Sequence, residues 1–170
     1  MHESRLVNLL GACGLAVADL TMRAVATDLS PSSAAAVVVL VSGPVGGTEL
    51  GRRVGLTQSA ATRMVDTLVR AGLVERSSRT GRTVLVNLTA QGRGMAGELL
   101  AARARSLTAV LAGLSAEDRE RLGGLLEALL LRLREDIGSA DLMCRLCDRA
   151  ACAASGGCPV RQCADQGISG

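Results

Sequence analysis

The stretch from Thr48 to Leu88 limits the possible folds more than any other part of the chain. Gly46-Gly47-Thr48 leads into a short helical segment, Glu49 to Val54, which Gly55 ends. Thr57 is an N-cap for a longer helix, Gln58 to Ala71, closed by Gly72. Leu73-Val74-Glu75-Arg76 and the run Arg82 to Leu88 are apolar strands on either side of a polar, Gly-containing tip, so they pair as a hairpin. On the longer helix Ala61, Met64, Val65 and Leu68 share one face, while Gln58, Ser59, Thr62, Arg63 and Asp66 share the other. Short helix, glycine turn, helix and hairpin, in that order, make a helix-turn-helix followed by a wing.

The flanks are helical. Apolar residues recur at helical spacing from Leu6 to Thr27, and Cys13 in that run is expected to be a small buried hydrophobe. Ser30-Pro31 is an N-cap followed by proline at the first helical position, opening a helix that stops at Ser42-Gly43-Pro44. Thr89 caps a long helix reaching about Gly113, and Ser115 to Asp118 resembles a capping box opening a last helix to about Glu135. Helical periodicity is lost after Leu146. The fold class is therefore mainly α (α+β), a winged helix-turn-helix with long flanking helices and an irregular Cys-rich C-terminal tail.

Charge is distributed unevenly. Residues 47–94 hold eight Arg against Glu49, Asp66 and Glu75, a net of +5, whereas the chain as a whole carries only +3. A local excess of this kind is the footprint of a phosphate-binding surface. The outer face of the 58–71 helix is short, polar and able to hydrogen-bond, as a helix entering the major groove requires. Gln58, Ser59, Thr62 and Arg63 are the candidate contacts there. Arg79 and Arg82, at the hairpin tip, are candidates for the minor groove or the phosphates.

Composition excludes other classes. With no Phe, Tyr or Trp, base-stacking platforms for single strands are ruled out, so double-stranded DNA is the expected partner. The longest unbroken apolar run, Ala34 to Val41, has eight residues, too few to span a bilayer. The N-terminus lacks the charge order of a signal peptide, and a cytoplasmic protein with no membrane association is expected. One His, at position 2, leaves no nucleophile–base pair, and an enzyme is not expected.

On these motifs residues 32–95 resemble the winged-helix core of the MarR family, through TELGRRVGLTQSAATRMVDTLVRAGLVER (48–76) and GRTVLVNLTAQGRGM (81–95). The family's recognition-helix pattern falls on Gln58, Ser59, Thr62 and Arg63 and its wing arginine on Arg82; Thr80 stands where the family usually has Asp. The resemblance implies a homodimer on a pseudo-palindromic operator, usually repressing transcription until a ligand, oxidant or metal releases it. It divides the chain into an N-terminal dimerisation helix (1–30), a DNA-binding domain (31–95), C-terminal dimerisation helices (96–136) and a Cys-rich tail (137–170).

The tail carries Cys144, Cys147, Cys152, Cys158 and Cys163 in the order C-x2-C-x4-C-x5-C-P-x4-C. Short loops let thiolates converge on one ion or cluster at low entropic cost. Cys144, Cys147, Cys152 and Cys158 are the expected ligands, with Cys163 as a spare. An iron–sulfur cluster, 2Fe-2S or 4Fe-4S, is the first expectation, since Cys158-Pro159 fits that ligand habit. The run loosely resembles the cluster loop of the SoxR-type regulators of the MerR family, with Cys152 displaced. Zinc and a metal-free thiol switch built on Cys144-x-x-Cys147 are the alternatives. A change at such a centre is expected to reorder the junction with the last helix and so the spacing of the dimer. Two competing functions are a thiol oxidoreductase or electron carrier, for which no βαβ context exists, and a small-ligand repressor with a merely structural zinc.

Overall fold

The computed structural model describes residues 2–25, 28–80, 83–154 and 157–161 of the 170-residue chain. Local sequence signals open most of the helices. Ser30 accepts from the Ser33 amide at 3.2 Å and starts α2 (Pro31–Val39), which runs into a 3-10 turn at Leu40–Ser42. Thr57, Thr89 and Ser115 likewise cap α4 (Gln58–Arg70), α5 (Ala90–Leu111) and α6 (Ala116–Ile137) by accepting a backbone amide. Between α2 and α4 lie a two-residue strand, β1 (Val45–Gly46), and α3 (Gly47–Arg53).

The hairpin is longer than the sequence suggests. β2 spans Val74–Thr80 and β3 spans Thr83–Leu88, with the pairing shifted between Ser77 and Thr80. β1 adds to the far side of β3 through Val45 opposite Val86, giving an antiparallel sheet in the order β1-β3-β2.

Without aromatics, the core is filled by aliphatic side chains in close contact. Leu50, Leu68, Val37, Val39 and Val86 are its largest fully buried members, and α2 is buried from Ser33 to Val39. The four inward positions expected on α4, namely Ala61, Met64, Val65 and Leu68, are all buried.

Outside this core, α1 (Glu3–Ala24) and α6 bury no residue of their own, and both are rich in exposed apolar side chains. Leu15 is 73% exposed and Leu125 64% exposed. Cys13, expected to be buried, is exposed. The helix is apolar as read, but α1 packs chiefly against α5 and much of its apolar surface faces outward. Although no unbroken apolar run is long enough, α1 as a whole meets the length and composition of a membrane-crossing helix.

The tail departs from the irregular chain expected. Gly138, at φ +69°, ends α6 and turns the chain back. Ser139 then accepts from the Leu142 amide to open α7 (Ala140–Met143), and Asp148 accepts from the Ala150 and Ala151 amides to open α8 (Arg149–Ala154). These helices are too short for a periodicity to register in the sequence, so only their caps could have announced them.

Candidate nucleic-acid interface and thiol cluster

The position of α4 is set by small residues. A Cβ at Gly51 of α3 would lie 2.4 Å from the Ala61 Cβ, so the two helices cross more closely than any other residue at 51 permits. Gly55, at φ +76°, makes the turn between them, and the Leu56 amide donates to the Gly51 carbonyl at 2.9 Å. The crossing leaves Gln58, Ser59, Thr62 and Arg63 exposed together on the outer face of α4. The Thr62 hydroxyl is turned back, donating to the Gln58 carbonyl at 3.1 Å.

Most guanidinium groups nearby are already engaged. Arg76 pairs with Asp66 at 2.5 Å, tying β2 to α4, and Arg70 folds back on the Asp66 carbonyl and the Thr67 hydroxyl. Arg52 reaches both Glu49 oxygens at 2.7 Å and Arg53 joins at 2.8 Å. The Arg52 hydrogen bonds, backed by Arg53, hold the Glu49 carboxyl down at about 2 despite some burial. Arg63 is different: among the described residues its side chain has no hydrogen-bond or ion-pair partner. A cleft of about 590 Å³ opens between α3, α4 and the sheet, lined in part by Thr48, Arg52, Thr62 and Arg76. Arg79 belongs to β2 by its backbone, and Arg82 lies outside the described residues.

The tail brings thiols together. Cys144 is buried and its sulfur lies 3.9 Å from that of Cys158. Cys144 also hydrogen-bonds to Cys147, which together with burial pushes its own thiol up and lowers that of Cys147. Arg103 of α5, Arg149 and Arg145 favour the Cys147 thiolate further. Cys152 is pushed up by burial and then by Cys147 and Cys158, so the fourth thiol is within electrostatic reach of the others. Among the described residues no three Cys, His, Asp or Glu side chains form an assembled metal site. Cys163 lies outside the described residues.

One buried atom near this cluster lacks a partner. The Arg103 Nε is shielded from solvent and has no hydrogen-bond partner among the described residues. An unpaired buried donor is costly unless an acceptor is supplied. The charge of Arg103 acts on both Cys147 and Cys152. A thiolate centre is the kind of acceptor this donor set fits.

The tail does not hang free. Leu146 packs against the main core, Val160 is 2% exposed, and Leu142 sits against the turn at Gly55. Asp141, absent from the sequence expectations, receives Arg149 at 3.1 Å and Arg161 from the tail, and Arg52 at 3.3 Å from α3. Burial pushes its carboxyl up, but Arg161, Arg53 and Arg149 outweigh that and hold it below its ordinary range.

The winged-helix part has clear relatives. The MarR family profile matches residues 40–81. A probable transcriptional regulator from Pseudomonas aeruginosa is 33% identical, with 71% of this chain and 93% of that one covered at a TM-score of 0.55. The chain belongs to the MarR family. A MarR family protein from Bacillus stearothermophilus is 26% identical at a TM-score of 0.65, covering 82% of this chain and 99% of that one. The Mycobacterium tuberculosis MarR family protein Rv2887, solved in complex with salicylic acid, is 27% identical at 0.56, covering 71% and 93%. No curated protein matches the chain.

MarR family proteins are DNA-binding transcriptional regulators and typically dimers. The matched profile ends at residue 81, so the cysteines fall outside it. Sequence reasoning missed Asp141, which ties the tail to α3, and Arg103, whose charge acts on the tail's thiols. Neither carries a local motif; each matters through partners far away in the chain.

Proposed function

We propose that this MarR family protein is a homodimeric repressor that reads a pseudo-palindromic operator and carries a thiolate metal centre responsive to oxidants. Gln58, Ser59, Thr62 and Arg63 read the major groove, and Arg79 and Arg82 hold the wing against the backbone or minor groove. The observation that carries the DNA half is Arg63, an exposed cation with no partner among the described residues, on a polar helix face whose neighbouring arginines are engaged. The apolar faces of α1 and α6, Cys13 included, are covered by the second protomer.

Cys144, Cys147, Cys152 and Cys158 are the proposed ligands. Two thiolates bound to one tetrahedral ion at about 2.3 Å each stand about 3.8 Å apart, and Cys144 and Cys158 stand 3.9 Å apart. That spacing supports a single ion, zinc being the best fit, and also accommodates one iron of a 2Fe-2S cluster. In a 4Fe-4S cluster each thiolate caps its own iron, which sets the sulfurs wider apart. On that spacing we rank zinc first and an iron–sulfur cluster, 2Fe-2S or 4Fe-4S, second. A bound metal would hold the ligating thiols deprotonated, and Arg103 would offset the resulting negative charge. Oxidation joins two thiolates by an S–S bond; a peroxide takes the two electrons and, with two protons, leaves as water. That removes two donors from the centre.

Protein purified anaerobically is expected to carry about one zinc per protomer and no visible absorption, and Cys144→Ser to lose that metal. Iron and sulfide with visible absorption would move the assignment to an iron–sulfur cluster. Neither metal, in protein that still binds DNA, would leave only a thiol switch on Cys144 and Cys147. Arg103→Gln should weaken metal retention by about 10- to 100-fold, as outer-shell substitutions do, read by competition with a chromogenic chelator.

A further inference from the structure

Asp141 sits three residues before Cys144, and guanidinium groups reach it from two directions. Arg149 lies between Cys147 and Cys152, and Arg161 follows Cys158, so both are carried by the segments that bear the thiols. Each donates to Asp141 Oδ1. The opposite oxygen, Oδ2, faces the helix-turn-helix, with Arg52 Nη2 at 3.3 Å and Arg53 Nε at 3.9 Å. One carboxylate, its side chain 16% exposed, is thus shared between the thiol cluster and α3.

The division of the two oxygens gives the carboxylate a mechanical role. Where Arg149 and Arg161 stand depends on where the loops bearing Cys147, Cys152 and Cys158 are pinned. With the thiols gathered, both arginines converge on Oδ1 and fix the direction in which Oδ2 is presented. With the thiols released, those loops lose their common anchor and Asp141 loses two of its four cations. Arg52 and Arg53 then keep Glu49 alone as acceptor. The Leu142 contact with the Gly55 turn follows the same segment, so the α3–α4 turn is affected as well. Because α3 and α4 cross at the Gly51–Ala61 contact, a shift of α3 is passed to α4.

We propose that Asp141 is a tether that reports the state of the thiol cluster to the helix-turn-helix of its own protomer, through Arg52 and Arg53 of α3. The route runs within one chain, in addition to any effect through the junction of α6 with the tail. This inference rests on the reading of the cysteines as a metal or thiol-redox centre, and a coupling of this kind biases two states of the DNA-binding unit.

The test uses the full-length Asp141→Asn protein, which keeps the side chain's size and removes its charge. Operator affinity is measured by fluorescence anisotropy on labelled DNA, before and after metal removal, with metal content measured in parallel. Wild type is expected to change at least about tenfold, within the usual range of coupling; Asp141→Asn should keep its metal and change by less than twofold. Asp141→Glu, which retains the charge, should recover part of the response and shows that loss of response is not loss of folding. A full wild-type response in Asp141→Asn overturns the tether. So does loss of the metal in that variant, which would make Asp141 part of the centre. If wild type binds no metal, the metal reading fails separately, and the same comparison between reduced and peroxide-treated protein decides the tether. A response that Asp141→Asn abolishes supports it, and one it leaves intact, or no response in wild type, overturns it.

Discussion

Gly92→Ala is expected to lower folding stability by about 3–5 kcal/mol, above the ordinary range for an overpacked site. A Cβ there would lie 1.9 Å from the Leu73 carbonyl oxygen and 3.1 Å from Leu88 Cδ2. The obstacle is backbone, so rotamer changes cannot relieve it. That carbonyl is also the acceptor for the Thr89 amide at 3.1 Å and the Thr89 hydroxyl at 3.2 Å. Thr89 in turn accepts from the Gly92 amide at 3.0 Å as the cap of α5. Moving α5 away from Leu73 therefore breaks the cap together with the bonds that fix the start of β2, each worth about 1 kcal/mol. For a chain of this length the melting temperature should fall by about 10 °C, at roughly 2–4 °C per kcal/mol. Circular dichroism at the helical band is the measurement to use, since the protein has no aromatic chromophore. Gly94→Ala in the same helix is the control. Nothing lies within 4 Å of a Cβ there, so replacing an exposed helical glycine should leave stability unchanged or raise it by up to about 1 kcal/mol. A Gly92→Ala protein that melts with the wild type would mean that α5 does not approach Leu73 this closely.

What was legible in the sequence follows from the range of the physics involved. Caps are local, and Ser30, Thr57, Thr89 and Ser115 open their helices as read. The buried face of α4 was legible for the same reason, because a helical period fixes which side chains share a face. It does not fix whose chain covers that face, which is why Cys13 was read as buried and is exposed. β1 was missed because Val45 and Gly46 become a strand only by pairing with Val86 and Leu85. That Cys144 and Cys158 lie close together is compatible with their spacing in the sequence, but the place where the tail docks was not legible there. Asp141 meets Arg52 across 89 positions of sequence, and nothing near either residue announces the pair. The regional excess of Arg pointed to a phosphate-binding surface. Only the structure separates, among the described side chains, the arginines that are engaged within the protein from Arg63, which is not.

That distinction makes Arg63→Ala the substitution with the largest expected effect on DNA binding. Arg52 and Arg53 are held by Glu49 and Asp141, Arg76 by Asp66, and Arg70 by its own helix. Their charges contribute to the field around the protein, but each would have to give up a bond to make a new one. Arg63 gives up nothing within the described chain. If its guanidinium reads a guanine edge with two hydrogen bonds, its loss costs about 1–3 kcal/mol, or roughly 10- to 200-fold in specific affinity. Non-specific binding should fall far less, because that depends on total charge. Arg63→Lys separates the two roles: a lysine keeps the charge but not the fork, so discrimination should drop while the slope of affinity against salt stays at its wild-type value. Arg63→Ala should leave the melting temperature unchanged, since the side chain is exposed and unpaired. Equal losses for operator and random DNA, with a salt slope smaller by about one, would make Arg63 a phosphate contact rather than a base reader. No loss on either DNA would remove α4's outer face from the interface altogether.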